Sequence, residues 1–261
     1  MYVAYSIEIN EQLSYTLLTT GNEIYNNNKN MVKTEIDKYV KPDGTIDATK
    51  MQDDWFPEIK ADIFISHSSK DKQLAIQLAG WLKENFGLES FIDSCVWGYC
   101  DDLLRKIDEK YCRRDKEPDY FDYDKRNRST SHVHNMLSVA LHKMIDNSEC
   151  IFFLNTKNSI IKNENDLLKI TESPWIYNEL STIEIIRKKT PDYLKKIYEI
   201  EKRAGFKAGY EFSSSFPGFE YEVNFENLFT LNWEDLQKWK NNNSNKEYPL
   251  LYLYTNYRKG K

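Results

Sequence analysis

The chain predicts an α/β fold of the doubly wound kind. Three observations carry this: short, almost wholly apolar segments, longer segments with helical spacing of apolar residues, and regular alternation of the two from Ala61 onward. The segment 62–66, "DIFIS", is short, β-branched and flanked by polar residues, as a buried parallel strand should be. Ser68 with Asp71 three residues later has the pattern of a capping box. Leu74, Leu78, Trp81 and Leu82 then draw one apolar stripe along a helix that Gly87 ends. "ESFID" at 89–93 is a second short strand, so 62–93 forms a βαβ unit.

Val133, Met136, Leu137, Ala140, Leu141, Met144 and Ile145 predict a helix over 131–146 with one core face, and "CIFFLNT" at 150–156 predicts a central strand. Ser173 as N-cap and Pro174 at the first helical position open the next helix, whose basic end complements the helix dipole. "YEVNFENLFTL" at 221–231 reads as strand and "NWEDLQKWK" at 232–240 as a helix capped by Asn232. Residues 191–218 fit helix, loop or both.

Two stretches stand apart. Residues 1–60 read as a helical extension: Ile7, Leu13, Leu17, Ile24, Met31 and Ile36 recur at loosely helical spacing until "KPDGT" interrupts. Residues 111–130 combine charge, Tyr and Phe without a period, and predict an inserted loop that is either floppy or a lid over a site. The expected domains are thus 1–60, an N-terminal helical extension, and 61–261, the α/β domain.

Composition narrows the function. Apolar residues at 40% supply a core, and a net charge of −5 gives no electrostatic reason for a nucleic acid or an anionic membrane as partner. No basic and then apolar leader opens the sequence and no apolar run approaches a membrane span, so a cytoplasmic protein is expected. Cys95, Cys100, Cys112 and Cys150 have no paired spacing. With His132 and His134 they match no structural zinc pattern, so free thiols and no metal are expected.

The set "DIFISHSSKD", "FGLESFID", "CIFFLNT" and "SPWIYNEL", in that order, resembles a bacterial Toll/interleukin-1 receptor (TIR) domain across about residues 61–187. The resemblance implies a flavodoxin-like parallel sheet of about five strands. In many bacterial members it also implies cleavage of NAD at the nicotinamide glycosidic bond, to ADP-ribose or a cyclised signal, often in antiphage systems such as Thoeris. NAD would be the substrate, with no cofactor. The pattern that holds the family's catalytic glutamate falls on Ser173 to Leu180, which assigns that role to Glu179.

In an open parallel sheet the ligand crevice lies at the carboxyl ends of the strands. There Ser66, His67, Ser68, Ser69 and Lys70 would meet the substrate: small residues at a strand exit let helix N–H groups approach a pyrophosphate, and Lys70 adds charge. One carboxylate beside the ribose would stabilise the oxocarbenium-like charge left by nicotinamide. Asp93 joins the substrate-contacting set through "DSCVW". His67 would contact phosphate or ribose, or simply be buried. Trp97, expected in a loop, would stack on a ring or anchor that loop; Trp175 would pack in the core or line the pocket. The resemblance also implies self-association and a downstream effector that senses the product. Two further readings stand beside the enzyme: a non-catalytic TIR adapter, and a nucleotide-sugar or nucleoside transferase on a similar sheet.

Overall fold

The computed structural model describes residues 1–29, 36–117, 119–162, 169–198, 220–243 and 245–257. Its strands are β1 (Val3–Glu8), β2 (Ile63–Ser66), β3 (Ser90–Ile92), β4 (Cys150–Leu154), β5 (Ile161–Lys162), β6 (Lys169–Thr171), β7 (Tyr221–Glu222) and β8 (Leu228–Asn232). Five of them form one parallel sheet in the order β3-β2-β4-β1-β8; the short β5, β6 and β7 pair antiparallel beside it. The fold class expected from the sequence is the one observed. Every residue of β2, β3 and β4 is buried, as strands covered by helices on both faces require.

The helices are α1 (Leu17–Lys29), α2 (Ala48–Trp55), α3 (Lys72–Phe86), α4 (Ser94–Tyr111), α5 (Tyr123–Asn147), α6 (Pro174–Ile185), α7 (Asp192–Tyr198), α8 (Trp233–Asn242) and α9 (Leu251–Asn256). Their ends follow the sequence signals. Gly87 closes α3 at φ 72, a left-handed conformation that glycine adopts without a Cβ penalty. Ser173 accepts from the Ile176 N–H ahead of Pro174, and Asn232 with Asp235 forms a full capping box on α8. Residues 199–218 of the ambiguous 191–218 lie outside the described residues, as does Met31.

Residues 1–60 contain the expected helices, α1 and α2, and also a strand that the helical spacing does not anticipate. β1 lies inside the sheet, with Val3 to Ile7 in register with Cys150 to Leu154 on one side, and Ala4 to Glu8 with Leu228 to Asn232 on the other. The remaining four strands follow the flavodoxin order, and β1 takes the place between the third and the last of them. α1 then crosses α3 so closely that a Cβ at Gly21 would stand 2.0 Å from the Ile76 carbonyl oxygen, and one at Gly80 would stand 2.2 Å from that of Leu17. Two glycines let the helix backbones touch. The boundary drawn at residue 60 therefore separates no independent unit.

The expected loop over 111–130 is shorter than its composition suggests. α4 runs to Tyr111 and α5 begins at Tyr123, where Asp122 caps it by accepting from the Lys125 N–H. Between them Arg113 bridges to Phe121, and the guanidinium groups of Arg113 and Arg126 lie over the Phe121 ring at 4.6 and 5.3 Å. The charge and aromatics that read as a loop are the exposed face of a helix start and one cation–π staple. At about 1.5 Å per residue the 18 residues of α4 place its far end roughly 25 Å from Asp93.

Candidate functional site

The sheet changes direction between β2 and β4: from β2 the chain moves outward to β3, and from β4 it moves toward the opposite edge. The crevice at such a switch point lies beyond the carboxyl ends of these strands. β2 ends there in Ser66 and His67, β3 in Asp93, and α6 brings Glu179 over them. All four side chains are buried.

Ser66 donates its hydroxyl to Glu179 Oε2 at 2.6 Å. His67 gives its backbone N–H to Asp93 Oδ2 at 3.2 Å, and Ser94 gives its own to Oδ1 at 2.6 Å. His67 Nδ1 lies 2.5 Å from Asp93 Oδ1, an approach of ion-pair length that is not collinear with the ring N–H. Trp97 stacks on the imidazole with ring centroids 5.4 Å apart and planes 19° from parallel. Asp93 sits at the N-terminus of α4, where the helix dipole favours its charge.

Glu179 is the group most changed by these surroundings. Burial first, and then the Asp93 carboxylate, push its carboxyl well above the ordinary 4.5, while the Ser66 hydrogen bond opposes the shift. Burial and the nearby Asp93 carboxylate thus both favour the protonated form of Glu179. Four buried atoms of the cluster have no hydrogen-bond partner among the described residues: Glu179 Oε1, both ring nitrogens of His67, and Trp97 Nε1. An unpaired buried polar atom costs about 1–3 kcal/mol, so a fold that keeps several in one cluster keeps capacity for a polar guest.

The sequence-expected residues divide. Ser66, His67, Asp93, Trp97 and Glu179 converge. Trp97 lies in the first turn of α4 rather than in a loop, because the helix starts directly at Ser94. Ser68 caps the turn over Ser69–Asp71 by accepting from the Lys70 N–H, and Ser69 and Lys70 are exposed on that turn. Asp71 does not complete a capping box with Ser68. It caps α3 without a side-chain bond and accepts from Thr156 Oγ1 at 2.5 Å and Asn158 Nδ2 at 2.7 Å, tying the β4 exit to the β2 exit. The N-terminus of α3 thus carries its own carboxylate, with Lys70 exposed on the turn before it. Trp175 does not join the cluster; it packs edge-on against His134 of α5.

The sequence reading missed His142, whose Nε2 is 3.0 Å from Asn178 Oδ1 and fixes α5 to α6 beside Glu179. Its spacing on α5 gave no signal that it faced α6 rather than solvent. A shallow cavity of about 360 Å³ lined by Ile36, Asp37, Lys106, Glu109 and Lys110 lies along α4, with none of the cluster residues in its lining. The four cysteines are buried and free. No described helix is long and apolar enough to cross a membrane.

Comparison with family models, with curated proteins and with solved structures finds no match.

Proposed function

We propose that the chain is a TIR-like enzyme that cleaves the nicotinamide glycosidic bond of NAD, releasing ADP-ribose or a cyclised ADP-ribose signal, in antiphage immunity. The observation that carries this reading is the meeting of Glu179 with Ser66 at the switch point of a parallel sheet, 113 residues apart in the chain. A carboxyl group at this place, beside small residues at a strand exit, suits a ribose whose leaving group is already cationic. Such a substrate needs one negative charge to stabilise the oxocarbenium ion and no acid to protonate the departing ring.

In this conformation Glu179 is covered and its protonated form is favoured, so cleavage proceeds from a conformation in which water and substrate reach it. Opening would lower its pKa by restoring solvation, and would supply the carboxylate that the chemistry uses. On this reading the protein rests closed in the cytoplasm, and self-association, with a surface near Trp97 as one contact, provides the trigger. A downstream effector would sense the nucleotide product. Incubation of purified protein with NAD over a range of protein concentrations, followed by chromatography of nicotinamide, tests the reading. Absence of release at every concentration would sink it.

The complete burial of the Ser66–Glu179–Asp93–His67 cluster favours a second reading, a non-catalytic scaffold that acts through domain assembly and uses the cluster to hold strand ends together. Self-association without nicotinamide release would select it.

A further inference from the structure

Glu179 supplies charge for bond cleavage, but nothing in that role handles the proton released when water attacks the ribosyl cation. Resting on the NAD reading above, we propose that His67 is the general base for the attacking nucleophile, acting through Nε2, and that Asp93 is its positioning residue. Four observations converge on this. His67 is fully buried beside Ser66, the residue that holds Glu179. Its Nδ1 lies 2.5 Å from Asp93 Oδ1, which sets that edge of the ring against the carboxylate and turns Nε2 away from it. Asp93 is itself held by two backbone N–H groups, those of His67 and Ser94, so the carboxylate that orients the ring cannot drift. Nε2, like Nδ1 of the same ring and Glu179 Oε1, has no hydrogen-bond partner among the described residues. Trp97 stacked on the imidazole face limits ring rotation.

The step balances. The C1′–N bond breaks with its electron pair going to the nicotinamide nitrogen, and nicotinamide leaves neutral. A water oxygen then gives a lone pair to C1′, and one water proton passes to His67 Nε2. The imidazolium, facing the Asp93 carboxylate, later returns that proton to solvent. The sum is NAD⁺ and water giving ADP-ribose, nicotinamide and one proton.

The test exploits a nucleophile that has no proton to lose. With 3-acetylpyridine present, the ribosyl cation partitions between water, giving ADP-ribose, and the pyridine nitrogen, giving an exchanged dinucleotide. In His67→Gln the ratio of ADP-ribose to exchanged product should fall by about 100-fold or more, the usual worth of a general base. Asp93→Asn should move the ratio in the same direction. A ratio unchanged from wild type, or hydrolysis and exchange lost together in folded variants, overturns the role of His67 and leaves the NAD reading standing. A wild-type protein that releases no nicotinamide overturns both. If neither variant folds, the wild-type protein in heavy water decides: partitioning should shift toward exchange because a proton moves only in the water branch, and an identical ratio in light and heavy water overturns the proposal.

Discussion

Ser66 Oγ and Glu179 Oε2 lie 2.6 Å apart, at the end of β2 and in the second turn of α6, and this bond is the contact that joins the strand exit to the helix above it. It opposes the effects of burial and of Asp93 on the Glu179 carboxyl, so its removal has a definite sign. Ser66→Ala should raise the Glu179 pKa further and leave Oε2 unpaired, at a cost of about 1–3 kcal/mol in urea unfolding. A stability equal to wild type would show that another group replaces the serine.

Glu179→Gln separates chemistry from fold. The amide keeps the size of the side chain and removes the carboxyl's charge. Nicotinamide release should fall by about 100-fold or more, as on loss of one preorganised electrostatic group. Stability should not fall. Glu179 is faced by Ser66 from the end of β2, by Asp93 from the start of α4, and on its own helix by Asn178, which His142 of α5 engages. Because its folded pKa lies above the ordinary 4.5, the native state holds a proton that the unfolded chain has lost as pH rises past 4.5. Wild-type stability therefore declines from about pH 4.5 upward until the folded carboxyl ionises, and the variant should lack this decline. Parallel thermal melts at pH 4 and pH 8 check it; equal pH slopes for the two proteins would remove Glu179 as the buried acid.

Truncation tests the sheet. Removing residues 1–60 as though they were an accessory would withdraw β1 from between β4 and β8. Val3, Tyr5 and Ile7 alone are fully buried side chains worth about 1.5–3 kcal/mol each, a sum comparable with the whole net stability of a typical domain. The shortened chain should be insoluble or lack a cooperative melt, and a cooperative melt near the wild-type temperature would contradict the topology.

The extent to which this fold could be read from sequence follows from which interactions are local. β2, α3 and β3 were legible because Gly87, the apolar stripe and two apolar runs lie within about one βαβ unit. The same holds for Glu179, where Ser173 and Pro174 fix the start of α6 and so the height of the carboxyl. β1 was not legible because both of its partners lie more than 140 residues away, and "VAYSIE" alternates with polar residues in a way that loose helical spacing can mimic. The pairing of Asp93 with Glu179 was hidden for the same reason: each residue was legible alone, but their proximity depends on how α4 and α6 both start above one sheet edge.

Gly21 gives a prediction about packing. A Cβ there meets the Ile76 backbone, which cannot swing aside as a side chain can. Gly21→Val should lower stability by about 1–3 kcal/mol or more by forcing α1 off α3. Since Tyr25 of α1 donates to the Ser94 carbonyl and Asn28 to that of Ser90, the loosening should extend to the β3–α4 junction. Faster hydrogen exchange at residues 90–97 in the variant would register this, and unchanged exchange there would confine the effect to α1.

Trp97 is the last element of the cover. Its indole lies flat on His67, which contacts Asp93, which in turn raises the Glu179 pKa, and burial is the largest cause of that rise. Trp97→Ala should admit water to this chain of contacts. Water stabilises the ionised carboxyl, so the folded pKa of Glu179 should move back toward 4.5, and the pH window over which stability declines should narrow. The substitution also removes packing, and that loss is the same at every pH, so a comparison of slopes isolates the electrostatic part. Melts of Trp97→Ala and of Trp97→Ala with Glu179→Gln, each at pH 4 and pH 8, complete a double-mutant cycle. The difference between the two proteins at pH 8 should be smaller than the corresponding difference without the Trp97 change. If it is equally large, Trp97 does not seal the carboxyl, and the cover lies elsewhere on α6 or the β4 exit.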